Sequence, residues 1–362
     1  MRLASVSVAL YGAASVSALT LPWPRAGKLV DLSIFGGRFE TLKPEEAKTH
    51  KSGAPNTISP PENKNKATAA GADGAAAGGC ENPSLRPEWR QMDDAGRQGY
   101  IDAVKCLMGR PSAGGDFPGS QNRYEDLVSL HQQLTGSIHM VGQFLPFHRY
   151  YVHVFESLLR DECGYGGPMP WWDETLDAGN FGNSPVLSAQ WFGTAPPLVN
   201  GQGACVSDGA FAGLTLHIGP GGGQSDHCLA RALDESQTAQ CNREFVDSCN
   251  SHDNYADMES CAEMGPHAYG HNGIGAVMQD VSPSPGDPVF FLHHGFVDRN
   301  WRAWQNADPA NRLYQIGGYS NTQDPKQPLT LDYVLTSKGI RPDVRVNEVM
   351  DTKGAYLCYD YL

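Results

Sequence analysis

The placing of histidines constrains this chain more than any other feature: of twelve, seven fall in two groups. The first is His131, His139 and His148; the second is His267, His271, His293 and His294. His267 and His271 stand four residues apart. On an α-helix that spacing puts both rings on one face, within reach of a single metal ion. No Glu follows His267, so the pair is not the HExxH of zinc proteases. Adjacent helical residues point about 100° apart, so only one of His293 and His294 can complete a site with that pair. Asp298 lies four residues after His294, placed to hydrogen-bond the far nitrogen of its imidazole, as metal-bound histidines usually require. That favours His294 as the ligand and leaves His293 as a supporting, substrate-side or packed core residue. Two sets of three imidazoles, with no carboxylate or thiolate, form a donor set for copper or zinc. Magnesium, manganese and di-iron sites are carboxylate-rich.

Apolar periodicity places these histidines on or beside helices. Residues 94–108 carry Tyr100, Ile101, Val104, Leu107 and Met108 on one stripe. Further helices are predicted at 123–133, 147–160, 263–272 and 290–305. His148 then opens the third of the five, after a non-helical turn at 142–146. The stretch 164–260 is rich in Gly, Pro, Asn and Asp and is expected to form long ordered loops pinned by cysteines. Histidines 50, 153, 217, 227 and 252 fit neither group and are read as structural or surface residues.

Three processing regions are expected. Residues 1–18 read as a secretory signal: Met1-Arg2, a small apolar run, then Val16-Ser17-Ala18 before a cleavage point. Residues 19–79 read as a flexible extension or pro-segment, since 69–79 is all Ala and Gly except Asp73 and cannot bury enough apolar surface to order itself. The compact domain is expected at 80–362. Nine cysteines suit an oxidising, extracellular location, and the odd number leaves at least one without an intrachain partner. A net charge of −13 disfavours nucleic acid and anionic membranes as partners.

Two strings carry a family resemblance. Phe144-Leu145-Pro146-Phe147-His148-Arg149-Tyr150-Tyr151, with Glu156 after it, resembles the first copper signature of the tyrosinase and catechol oxidase family. Asp287-Pro288-Val289-Phe290-Phe291-Leu292-His293-His294, running on to Asp298, Trp301, Trp304 and Gln305, resembles the second. Pro170-Trp171-Trp172-Asp173 and the closing Tyr359-Asp360-Tyr361 are similar to further family strings. The resemblance implies a mainly α fold: a four-helix bundle holding a dicopper centre, with long disulfide-pinned loops and little strand. It implies copper A on His131, His139 and His148, and copper B on His267, His271 and His294. It places Val281, Phe290, Ala268 and Asn272 about the substrate entrance. It implies a secreted enzyme with two coppers that oxidises small phenols, foremost o-diphenols to o-quinones, reducing O2 to water.

There are departures. Ser137 stands where many fungal members carry the cysteine of a Cys-x-His thioether, so that crosslink is not expected. No C-terminal plugging domain is expected, which leaves any latency to residues 19–79. Ala268 stands where strong monophenol hydroxylases often carry Asn, so diphenol oxidation is expected to exceed monophenol hydroxylation. Rival readings are a tyrosinase with monophenolase activity, an oxidase of o-aminophenols or substituted phenols, a haemocyanin-type oxygen carrier and a di-zinc hydrolase. The hydrolase would want a carboxylate ligand, and none sits at ligand spacing.

Overall fold

The computed structural model describes residues 27–57 and 80–362; the expected signal at 1–18 and the stretch 58–79 lie outside the described residues. Helices dominate. Helix α1 (Asp94–Met108) starts where the Asp93 side chain accepts the Gly96 amide. Helix α2 (Arg123–Ile138) is capped the same way by Asn122, and buries Tyr124, Leu127, Val128 and His131. Helix α3 (Phe144–Cys163) stops at Gly164, whose φ of 66° is the left-handed conformation that a glycine adopts without strain.

The third helix begins earlier than expected. Pro146 is in its first turn, where the missing amide costs nothing, so residues 144–146 are helical rather than a turn. The stretch read as loop also holds more helix than expected: α4 (Glu235–Thr238), α5 (Arg243–Asn250) and α6 (Tyr255–Ala262). The Asp234, Asn242 and Asn254 that suggested loop are the N-caps of these helices, accepting the amides of Ser236, Phe245 and Asp257. The expected helix at 263–272 is likewise broken. Gly265 leaves helical geometry beside Pro266, making a single wide turn at Glu263–His267 before α7 (Ala268–Ile274). Helix α8 (Phe290–Ala307) follows, led in by Asp287, which accepts the Val289 amide.

Helices α2, α3, α7 and α8 form the bundle, and every histidine of both groups faces its interior. Strands are short and peripheral. Tyr359–Tyr361 pairs in parallel with Ser84–Arg86 and ties the chain end to the start of the domain. Four disulfides pin the periphery: Cys80–Cys358, Cys106–Cys163, Cys205–Cys228 and Cys249–Cys261. Cys241 is the odd cysteine, free and buried. Among the described residues no helix is long and apolar enough to cross a membrane.

Residues 27–57 correct the expectation of a flexible extension. Leu29–Asp31 pairs antiparallel with 202–204, and Asn56–Thr57 pairs with Ile316–Gly317. Between those strands the chain lies along the body, with Phe35, Phe39, Leu42 and Ala47 buried. The low apolar content that suggested disorder belongs mainly to 58–79; this stretch has just enough apolar side chains, spaced along it, to dock.

Candidate metal centre

The first group is assembled from three contexts. His131 faces inward from the middle of α2, His139 sits in extended geometry at its C-terminal cap, and His148 faces inward from the second turn of α3. Their donor atoms lie within 4.8 Å of one another, and all three residues are buried. The second group comes from one turn of helix and the start of another. His267 and His271 share a face across the α6–α7 break, with ring centroids 4.6 Å apart. His293 and His294 enter from α8, and all four donor atoms lie within 4.8 Å. The two groups adjoin: the rings of His148 and His294 stack at 4.4 Å and 13°.

Main-chain carbonyls orient the rings. Nδ1–H donates to a carbonyl in His131 (Ser282, 2.8 Å), His139 (Thr135, 3.1 Å) and His148 (Phe144, 2.8 Å). The same holds for His267 (Glu263, 2.9 Å) and His271 (Met278, 2.7 Å). A carbonyl cannot donate, so each proton sits on Nδ1 and each Nε2 carries a lone pair. These lone pairs converge: Nε2 of His148 is 3.5 Å from Nε2 of His131, and Nε2 of His271 points at the ring of His294, 3.4 Å from its Nε2. Nε2 of His267 is buried with no partner at all. Facing lone pairs and an orphaned buried acceptor are what a bound cation satisfies. Burial pushes the His139 ring down to about 4. Burial first, then the neighbouring imidazoles, push His131, His148, His267, His271 and His294 well below the usual histidine range. The rings are therefore neutral at neutral pH, the form that binds a metal.

The reading of Asp298 needs correction. It does not reach His294, whose Nδ1 has no partner. Asp298 instead accepts from Arg149 Nε at 2.5 Å and from the hydroxyls of Tyr359 and Tyr361. A guanidinium and two phenols outcompete a neutral imidazole for a buried carboxylate. His293 does have a carboxylate partner, which sequence reasoning missed: Nδ1 lies 2.6 Å from Glu174 Oε1, directly after the Pro170–Asp173 string. Burial pushes the Glu174 carboxyl up, and His293 opposes that push.

The four expected entrance residues separate. Phe290 is fully buried and lies against His294 at 4.1 Å and His131 at 5.4 Å, so it forms the floor of the centre rather than its mouth. Ala268 is buried directly after His267. Asn272 and Val281 both touch the 27–57 segment, which sequence reasoning had not joined to the site. Asn272 Oδ1 accepts the Phe39 amide at 3.3 Å while Nδ2 donates to the Phe39 carbonyl at 2.9 Å. The Val281 amide donates to the Gly37 carbonyl at 3.3 Å. The signal for this contact was Phe35, Phe39 and Leu42, apolar residues at intervals in a polar stretch. Glu259 and Glu263 lie beneath, hydrogen-bonded to each other; burial pushes Glu263 up to about 8 and Glu259 well up.

Residues 121–307 match the family model described as the common central domain of tyrosinase. Tyrosinase ustQ of Aspergillus flavus is 35% identical over 297 residues, covering 78% of this chain and 80% of that protein. N-acetyl-6-hydroxytryptophan oxidase ivoB of Emericella nidulans is 32% identical over 341 residues, covering 78% and 93%. A point mutant of polyphenol oxidase from Thermothelomyces thermophila superposes with a TM-score of 0.67 at 27% identity, over 77% of this chain and 89% of that one. A functional unit of octopus hemocyanin shares the fold at a TM-score of 0.53 and 18% identity, over 77% and 68%. Bundle, paired imidazole groups and these matches agree: this chain belongs to the tyrosinase family of copper oxidoreductases.

Proposed function

We propose that the chain is a secreted polyphenol oxidase that converts o-diphenols to o-quinones while reducing O2 to water. In this reading His131, His139 and His148 hold copper A, and His267, His271 and His294 hold copper B. The observation that carries it is the set of converging Nε2 lone pairs fixed by carbonyl-bound Nδ1 atoms. Two copper ions per chain, when bound, supply the electron storage and O2 chemistry. The residues supply the rest. Carbonyls hold ring orientation, and Phe290 keeps water out from below. Burial lets the Glu259–Glu263 pair retain a proton, with Glu259 pushed up the further of the two. Nδ1 of His293 is held by Glu174, which supports a positioning role for His293 beside copper B.

Ala268 supports diphenol over monophenol turnover. The named substrate of the Emericella relative, a hydroxylated tryptophan, favours a second reading as an oxidase of substituted phenols. The signal-like start and four disulfides support secretion. Oxygen uptake by copper-loaded protein with catechol, tyrosine and 2-aminophenol in parallel tests the reading. Faster uptake with catechol than tyrosine is expected; equal or faster uptake with tyrosine refutes the preference. Reversible O2 binding with no turnover of any phenol would make the chain a carrier. His267→Ala is expected to halve copper content and abolish uptake.

A further inference from the structure

Phe39 lies directly over the histidine cluster. Its ring lies flat against His271, with centroids 4.2 Å apart and planes 24° from parallel. The same ring meets His267 edge-on at 5.1 Å and His139 edge-on at 5.7 Å. It thus touches both imidazole groups at once. Phe290 packs against His131, His148, His271 and His294 from its own side. Phe39 covers His139 and His267, which Phe290 does not reach, and shares His271 with it. Between the two phenylalanines no histidine of either group is more than 7% exposed.

The segment around Phe39 is held by built contacts rather than by the ring alone. The Asn272 carboxamide grips both the amide and the carbonyl of Phe39. Arg38 forks onto Gln279 Oε1 at 3.1 and 3.2 Å, and the Gly36 amide donates to Asp280 at 2.9 Å. Further along, Lys51 and the Ser52 amide meet Asp257 at 2.9 and 2.8 Å. No cysteine precedes Cys80 in the sequence, so no disulfide fastens this strap to the body. Among the described residues its hold on the body is made of hydrogen bonds, one ion pair and packing.

We propose that residues 27–57 are an autoinhibitory strap in which Phe39 occupies the seat of the phenolic ring, so that substrate binds only after Phe39 withdraws. The inference rests on the polyphenol oxidase reading for the identity of the ring it displaces. A phenyl group and a phenol ring fill the same volume, so the two occupancies exclude each other. The apparent affinity for any aromatic ligand is then the intrinsic affinity reduced by the fraction of open strap.

The test is the full-length, copper-loaded chain against Phe39→Ala, titrated calorimetrically with benzoate, an aromatic ligand that is not oxidised. Copper content and thermal midpoint confirm that each protein is intact. The expected result is a Kd for benzoate lower by about tenfold or more in the variant, with a fall in KM for catechol in parallel. Should Phe39→Ala lose copper, the doubly anchor-weakened Arg38→Ala, Lys51→Ala chain is measured instead, with a change in the same direction expected. Unchanged benzoate affinity overturns the proposal, and so does weaker affinity, because either makes Phe39 a fixed wall of the pocket. A chain that turns over no phenol but gains benzoate affinity on Phe39→Ala would refute the oxidase reading and leave the strap standing.

Discussion

Asp298→Asn separates two roles for the carboxylate that follows His294 by one helical turn. Asp298 is buried, and against the upward push of burial, Arg149 and then Arg86 hold its carboxyl below the ordinary range. Arg149 Nε donates to it at 2.5 Å, and Arg86 stands at 3.7 Å. Tyr359 and Tyr361 donate their hydroxyls to its other oxygen. The carboxylate therefore fastens α3 and α8 to the end of the chain. Removing one partner of a buried ion pair costs about 3–5 kcal/mol, because the other charge stays buried uncompensated. The low end applies here, since Arg149 keeps the carbonyls of Val349 and Met350, at 3.0 and 2.8 Å, and the face of Trp301. With an unfolding entropy of about 2.1 cal/mol/K per residue, 3 kcal/mol is a fall of about 4 °C in thermal midpoint for a chain of this size. The assay is scanning calorimetry with copper analysis on the same samples. The expected outcome is that fall with two coppers per chain retained at 25 °C. Loss of one copper with an unchanged midpoint would refute the reasoning and return Asp298 to the orientation of His294.

Two further outcomes follow from buried groups elsewhere. Cys106–Cys163 ties α1 to the end of α3 across a sequence separation of 57. Replacing both cysteines with alanine is expected to cost about 4 kcal/mol by the loop-entropy relation, read as an earlier midpoint in urea; an unchanged midpoint would refute it. Glu263 is held up to about 8 by burial, against an ordinary 4.5. Between those values the folded chain keeps a proton that the unfolded chain has lost, so this carboxyl makes stability fall as pH rises from about 4.5 to about 8. Glu263→Gln keeps an acceptor for the Met140 amide and is expected to flatten that slope in thermal midpoints across pH 5–8. A slope identical to the parent's would count against the buried proton.

The centre was legible in the sequence because metal ligation leaves local marks. His267 and His271 do lie together, with ring centroids 4.6 Å apart, but the divergence expected of adjacent His293 and His294 does not keep either out of the cluster: a donor atom of each lies within 4.8 Å of the others. What the sequence hid was set by competition between partners far apart in the chain. Asp298 stands at the right spacing for His294, but Arg149 and the terminal tyrosines, 149, 61 and 63 positions away, claim it. Ring orientation falls to main-chain carbonyls, which every residue carries and no motif records. The break at Gly265-Pro266 was visible as residues, yet a helical pattern ran through it. Asn242 and Asn254 were read as loop because the same side chain that starts a turn also starts a helix.

The strap was hidden for a different reason. A segment of 31 residues from 27 to 57 has too few apolar side chains to fold alone, so composition alone reads it as loose. Its order comes from surfaces already built by the bundle, through contacts such as Phe39 with Asn272 across 233 positions. Two of the residues it grips, Asn272 and Val281, had been placed at the substrate entrance on family resemblance alone. A substrate-facing surface offers unfilled hydrogen-bonding groups and an apolar seat beside the metal ligands, and those features also recruit an intramolecular occupant. The strap needs no surface of its own: a site shaped to accept an aromatic ring will hold Phe39 for as long as nothing binds there more tightly.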